Sequence, residues 1–219
     1  MDNVKELIIN YLNEVQLGTE EVSDCMNKTG LISGAKSIKP GNYCAGEVQY
    51  IYGYDDSNWA IHEQIINLSP NKIVFVDDIN VSNRALFGQL VSGFIIKKKK
   101  ALGIVTTGFM RDIKGLLDED FKVWCQGITP LGCFNKKMPL RDEVIQISEK
   151  HKQIYDGSIF ICDNSGVVMI PKDMITETFY QKLKDMEKQE ETWFDCVGNK
   201  NWSTYDTVCL KKYLNGDQL

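Results

Sequence analysis

The chain has 219 residues, 43% hydrophobic and 25% charged, enough apolar material for a full core and too few prolines and glycines for a collagenous or low-complexity chain. Its 25 basic and 30 acidic residues leave a net charge of −5 and no basic surplus of the kind that drives counterion release, so direct nucleic-acid binding is not expected. Seven cysteines, an odd number with no CxxC pair, read as buried reduced thiols rather than a disulfide or zinc framework. The first residues are acidic where a signal peptide would be basic, and no apolar run approaches the roughly 18 residues of a membrane span. The expectation is a cytoplasmic protein with no membrane partner.

Taken in chain order, Val4, Leu7, Ile8, Tyr11, Leu12 and Val15 recur at helical spacing, and Gly18 stops that helix. Thr19 is placed to cap a second helix running to about Lys28, with Glu20 and Glu21 in its first turn. "EVQYIYG" alternates as a strand. "NWAIHEQIINL" reads as a helix capped by Ser57 or Asn58, and "KIVFVDD" as a buried strand. "RALFGQLVSGFIIKKKK" reads as helix, "LGIVTTG" as a buried strand and "FKVWCQG" as a short one. This alternation is the pattern of an α/β domain. In the last third, "DEVIQIS", "GSIFICD" and "GVVMIP" read as short antiparallel strands joined by "YDG" and "DNSG" turns. Pro171 marks a boundary before the helix "KDMITETFYQKLKDMEKQEE", and two tryptophans in the tail imply that it packs onto something. No linker forces a boundary, so residues 1–219 are read as one domain.

Chemistry concentrates between "ALFGQLVSG" and "GIVTTGFMRD". A helix beginning beside Gly88 offers free amides to a carboxylate or phosphate. A buried strand then ends at Thr106, Thr107 and Gly108 and delivers Arg111 and Asp112, where α/β sheets gather ligands. The guanidinium suits a substrate carboxylate or developing oxyanion, and the carboxylate suits a hard cation. On spacing alone such a pair is more often a surface salt bridge or a helix start, and Gly88 reads equally as a close-packing glycine. Of the remaining features, Lys97 to Lys100 read as a solvated helix end, His62 as structural, and Tyr50, Tyr52 and Tyr54 as one core-facing strand face. Cys125 and Cys133 are placed near the cleft without a base to activate either.

In order along the chain, "VSDCMNKTG", "IKPGNYCAG", "DDSNWAIHEQI", "KIVFVDD", "ALFGQL", "GIVTTGFMRDI", "VWCQGITP" and "ICDNSGVVMIP" resemble the RraA-like family, which includes the regulator of ribonuclease E activity and the 4-hydroxy-4-methyl-2-oxoglutarate aldolases. The resemblance covers residues 19–172, leaving 173–219 as a helical C-terminal extension. It implies a swivelling β/β/α domain of mixed sheets with flanking helices, assembled as a homotrimer or hexamer with sites in clefts between subunits. It implies a class II pyruvate aldolase or oxaloacetate decarboxylase acting on a small 2-oxo acid with Mg²⁺ or Mn²⁺. The backbone of Gly88, Gln89, Leu90 and Val91 would bind the pyruvate carboxylate, Arg111 the pyruvate oxygen, and Asp112 the metal. Retro-aldol cleavage and decarboxylation both place charge on the same enolate oxygen, so one metal and one Arg serve both.

Four departures stand out. Gln89 occupies a position that is often acidic in catalytic members, and Gly115 another, leaving Asp118 or Glu119 to compensate. The segment between Gln89 and Arg111 is about one residue longer, near "KKKK". "YDG" replaces the usual Pro-Gly-Asp. With Arg111 and Asp112 intact, decarboxylation is the expected activity that leans least on the missing acids. The alternative is a non-catalytic regulator that binds a partner enzyme such as a ribonuclease.

Overall fold

A computed structural model describes residues 2–215. Helices α1 (Asp2–Val15) and α2 (Thr19–Cys25) come first, then strands β1 (Lys36–Ser37) and β2 (Cys44–Tyr54). Next are α3 (Trp59–Gln64), β3 (Ile73–Ile79), α4 (Gln89–Gly93), β4 (Gly103–Thr106), β5 (Phe109–Met110), α5 (Ile113–Asp118), β6 (Val123–Cys125) and β7 (Gly127–Ile128). The chain closes with α6 (Asp142–Tyr155), β8 (Ile159–Cys162), β9 (Val167–Ile170) and α7 (Glu177–Gly198), followed by short turns of helix. The result is a mixed α/β fold with flanking helices.

Seven strands form one sheet in the order β1-β6-β4-β3-β2-β8-β9, and β5 pairs with β7 in a separate parallel tie. The strand β2 is long because it serves two partners. Its first residues, Cys44–Glu47, run antiparallel to β8, and Val48–Tyr54 run parallel to β3. The parallel strands β3, β4 and β6 are buried on both faces, as the unbroken apolar run Ile73–Val76 requires. One core cluster lies under α3 and α4, another under α1, α2 and α7, and a third, rich in aromatics, between them.

Tyr50, Tyr52 and Tyr54 do share a face, with neighbouring rings 6.3 and 6.1 Å apart. Beneath them the buried Asp77 accepts from Tyr50 Oη and contacts His151 Nδ1, each at 2.7 Å, so this interior carboxylate is satisfied. Phe75 sits at the middle of this region, 4.7 Å from the Tyr155 ring and 5.4 Å from Phe160. Phe75→Ala is expected to cost about 3–5 kcal/mol, measured by urea unfolding.

Several elements differ from the sequence reading. "DEVIQIS" is the start of helix α6, not a strand. Its β-branched residues mimic a strand over seven positions, but Val144, Ser148, His151 and Tyr155 continue at helical spacing, and polar side chains at two of those positions hide the stripe. The segment from Arg84 to Phe87 is extended rather than helical, with Ala85 bridging Phe109 and Gly132. The second helix stops at Cys25, because Asn27 and Lys28 adopt left-handed backbone conformations. Gly18, not Thr19, is its N-cap; Thr19 instead donates from its amide and hydroxyl to Asp163. Of the two caps offered for α3, Asn58 is the N-cap, its carbonyl accepting the His62 amide at 3.2 Å, while Ser57 Oγ accepts the Trp59 amide at 3.2 Å.

The C-terminal helix α7 begins at Thr176, whose hydroxyl accepts the Phe179 amide at 3.1 Å. It seats Phe179 and Leu183 against α1 and α2. The tail folds back on it, with Trp193 Nε1 donating to Tyr213 Oη at 3.1 Å. On the same seam the Glu190 carboxyl is pushed up to about 7, first by burial and then by its neighbour Glu21. A carboxyl raised above its ordinary 4.5 favours the folded state at low pH, and that contribution is lost as pH climbs through about 7. Glu190→Gln is therefore expected to flatten the fall in Tm between about pH 5 and pH 8, read by calorimetry. Among the described residues no helix is long and apolar enough to cross a membrane.

Candidate functional site

The site lies beyond the C-terminal ends of β3 and β4, the place where parallel sheets leave room for ligands. At the end of β3, Asp78 takes a hydrogen bond from the Thr107 hydroxyl. Burial nonetheless holds its carboxyl above the usual carboxylate range. The chain from Ser82 to Gly88 then crosses to the start of α4 without regular structure, bending at Asn83 and Leu86. After β4, Thr106 Oγ1 accepts the Gly108 amide at 3.0 Å and turns the chain into β5, which delivers Arg111. The Arg111 amide donates to the Phe87 carbonyl at 3.1 Å, clamping the two segments together.

Gly88, Gln89, Arg111 and Asp112 meet here. A Cβ added to Gly88 would fall 2.9 Å from Arg111 Cγ, 2.7 Å from Asp112 Cγ and closer still to Asp112 Oδ2. Glycine is required by that close approach alone, since the backbone of Gly88 (φ −141°) is not left-handed. Asp112 itself is left-handed (φ 60°, ψ 40°), a conformation that Asp tolerates better than most residues, and this places its carboxylate at the start of α4. There Oδ2 accepts the Gln89 amide at 3.2 Å, so the acid caps a helix belonging to another segment. Arg111 Nε and Asp112 Oδ2 are 4.0 Å apart, and both side chains are about half exposed. They are not locked into a tight pair, and both remain open to a ligand.

Leu90 and Val91 contribute backbone rather than side chains to this corner. Leu90 projects into solvent at 86% exposure, and Val91 points into the core. Their amides stand in the first turn of α4, where no preceding turn supplies acceptors. The Gln89 side chain folds over Gly115, where an added Cβ would fall 3.0 Å from Gln89 Cγ and nearer to its amide. Of the two acids nearby, Asp118 forms an exposed pair with Lys114 and Glu119 one with Lys97, and Glu119 lines a cavity together with Gln89. A π-helical turn, Phe94–Lys98, continues α4 into the lysine run.

The donors present fit a divalent cation that keeps most of its ligands from water and substrate. Asp112 is a single, half-exposed carboxylate with spare lone pairs, which suffices for Mg²⁺. An all-protein cage is not built, since no three His, Cys, Asp or Glu side chains converge among the described residues.

Two contributors escaped the sequence reading. Gly132 lies beneath the Arg111 guanidinium, whose Nη1 would be 2.5 Å from an added Cβ. Arg84 donates from Nη1 to the Gly132 carbonyl at 2.9 Å. The only hint of either was the turn-forming composition of "GITPLGCF". Cys133 lies beside both arginines, but burial pushes its thiol up to about 11, so it is no nucleophile. Cys125 is buried, and His62 is exposed rather than structural. The lysine run is solvated as expected, with Lys97 and Lys99 each lying over a phenylalanine ring.

A helix start lined by Gly88, with Arg111 and Asp112 brought to it from beyond the end of a parallel strand, is the candidate site of a mixed α/β scaffold. The chain matches the profile "RraA-like: Aldolase/RraA" over residues 19–169 and belongs to the RraA-like family. A Halalkalibacterium halodurans protein named "Putative 4-hydroxy-4-methyl-2-oxoglutarate aldolase" is 26% identical over 171 residues, spanning 78% of this chain and 80% of that protein. Among solved structures, an uncharacterized protein from Pseudomonas syringae pv. tomato has a TM-score of 0.73 at 18% identity and covers 94% of both chains. Streptomyces coelicolor RraAS2, described as an unusual member of the RNase ES inhibitor RraA protein family, has a TM-score of 0.66 at 18% identity, covering 84% of this chain and 95% of its own. The family thus holds both aldolases and inhibitors of RNA processing.

Proposed function

We propose that this protein is a lyase for small 2-oxo acids, releasing pyruvate by decarboxylating oxaloacetate or by retro-aldol cleavage of substrates such as 4-hydroxy-4-methyl-2-oxoglutarate. The observation that carries this reading is the contact of Gly88 with Asp112 and Arg111 at the start of α4. The Leu90 and Val91 amides orient the 2-oxo acid's carboxylate, and Gly88 and Gln89 shape the floor beneath it. Arg111 donates to the keto oxygen and stabilises the negative charge that grows there as the C–C bond breaks. Asp112 would hold Mg²⁺ or Mn²⁺, with the Gln89 amide oxygen able to accept from a bound water. Such an ion supplies Lewis-acid polarisation of the same carbonyl. The chain would act in the cytoplasm as a homotrimer or hexamer, in which a neighbouring copy completes the cleft.

The test is pyruvate release from both substrates with Mg²⁺ or Mn²⁺, in excess of a protein-free blank holding the same metal, compared with the Arg111→Ala variant and with a metal-free blank. Turnover that depends on the metal supports the proposal; identical rates with and without it, on either substrate, overturn it. A second reading, a non-catalytic regulator of a partner enzyme, is favoured by the ion pairs that occupy Asp118 and Glu119 and by the absence of an acid at positions 89 and 115. It predicts no saturable binding of Mg²⁺ or Mn²⁺ at millimolar concentration in calorimetric titration.

A further inference from the structure

The wall behind Arg111 is a strap, residues 129–134, with few contacts of its own and many borrowed ones. The Ala85 amide donates to Leu131 O at 2.8 Å, and the Cys133 amide returns to Ala85 O at 2.9 Å. The Thr129 amide donates to Met110 O at 2.9 Å and the Phe134 amide to Asp56 O at 2.8 Å. One side chain joins these attachments. The Arg84 guanidinium donates to Gly132 O, lies 4.5 Å from the centre of the Phe134 ring, and has its Nε 3.5 Å from Asp56 Oδ2. Asp56 is itself fixed, because its carboxylate accepts the Ser82 amide at 2.7 Å. Arg84 thus spans the strap, the loop before α3 and the segment leading to Gly88.

The consequence falls on Arg111. Its guanidinium occupies the space over the Gly132 Cα, so a displacement of Gly132 moves the surface on which it rests. A planar fork that hydrogen-bonds, stacks and pairs at once fixes that surface in a way a point charge does not. We infer that Arg84 is a positioning residue: clamped between Asp56 and Phe134, it holds Gly132 in place and thereby sets where the Arg111 guanidinium points. Arg84 need not touch the substrate. Its role in turnover rests on the lyase reading above, whereas its role in placing Arg111 does not.

The test is a double-mutant cycle with a labelling arm. Arg84→Met keeps an unbranched stem against Phe134 and removes the fork; Arg84→Lys keeps the charge and serves as a second variant should the first fail to fold. With oxaloacetate as substrate, Arg84→Met is expected to lower kcat by about tenfold or more in the wild-type background, and by less than about twofold in an Arg111→Ala background. Arg84→Lys is expected to recover part of the loss. Equal losses in both backgrounds, or no loss in the wild-type background, overturn the inference, because a merely structural role would not distinguish them. The second arm uses phenylglyoxal labelling of the intact protein, with Arg111 followed by peptide mapping. Labelling of Arg111 at least about twofold faster in Arg84→Met supports the inference, and any smaller change overturns it. If wild type turns over neither oxaloacetate nor 4-hydroxy-4-methyl-2-oxoglutarate, the lyase reading fails while the labelling arm still decides the placement of Arg111.

Discussion

Arg111→Ala is expected to lower kcat/KM for pyruvate release from oxaloacetate by about 100- to 1,000-fold, with little change in Tm. The stability part follows from exposure: the side chain is about half solvated, and the segment is held by its backbone amide on Phe87 O rather than by the guanidinium. The activity part follows from charge. The oxygen that becomes anionic in either reaction needs a donor already aimed at it, and Arg111 is the cation beside Asp112 at the start of α4. Arg111→Lys is expected to restore only a small fraction, because the recess over Gly132 is filled by a flat fork and not by a single ammonium. Steady-state kinetics of the three proteins, with calorimetric melts alongside, check both halves.

Gly88→Ala should be nearly as damaging, although only one methyl is added. That methyl would fall on the Asp112 carboxylate and 2.9 Å from Arg111 Cγ, so both functional side chains must move together. The backbone at Gly88 is acceptable to alanine, which makes the loss one of placement rather than of folding. We expect at least about a 100-fold drop in kcat/KM, and a weaker response to Mg²⁺ or Mn²⁺ as Asp112 is displaced from the Gln89 amide. Wild-type kinetics in Gly88→Ala would mean that the chemistry lies elsewhere in the molecule.

Much of this was legible in the sequence, and what was not has identifiable causes. The buried strands announced themselves through unbroken apolar runs such as Ile73–Val76, and the start of α4 beside Gly88 through its glycine. The helix α6 was misread because His151 and Ser148 face inward, one against the Asp77 carboxylate and the other with its hydroxyl on Ile145 O. A polar residue satisfied in the interior erases the stripe on which periodicity depends. Arg84 and Gly132 were invisible for another reason. Their meaning depends on contacts across 48 positions, and nothing local marks a glycine that makes room for a distant guanidinium.

The stitching of the site carries one further consequence. Ala85, Phe109 and Gly132 lie on three separate stretches of chain that meet through single bridges rather than through one long strand. Each stretch supplies part of the surface around Gly88 and Arg111, so a ligand held there draws on all three at once. A ligand that binds the folded chain and not the unfolded one, present at about 100 times its Kd, should raise the stability of the whole chain by about 2.7 kcal/mol. Heat alone can then sort candidate 2-oxo acids: those that fit will shift the entire melting curve, and those that do not will leave it where it stands.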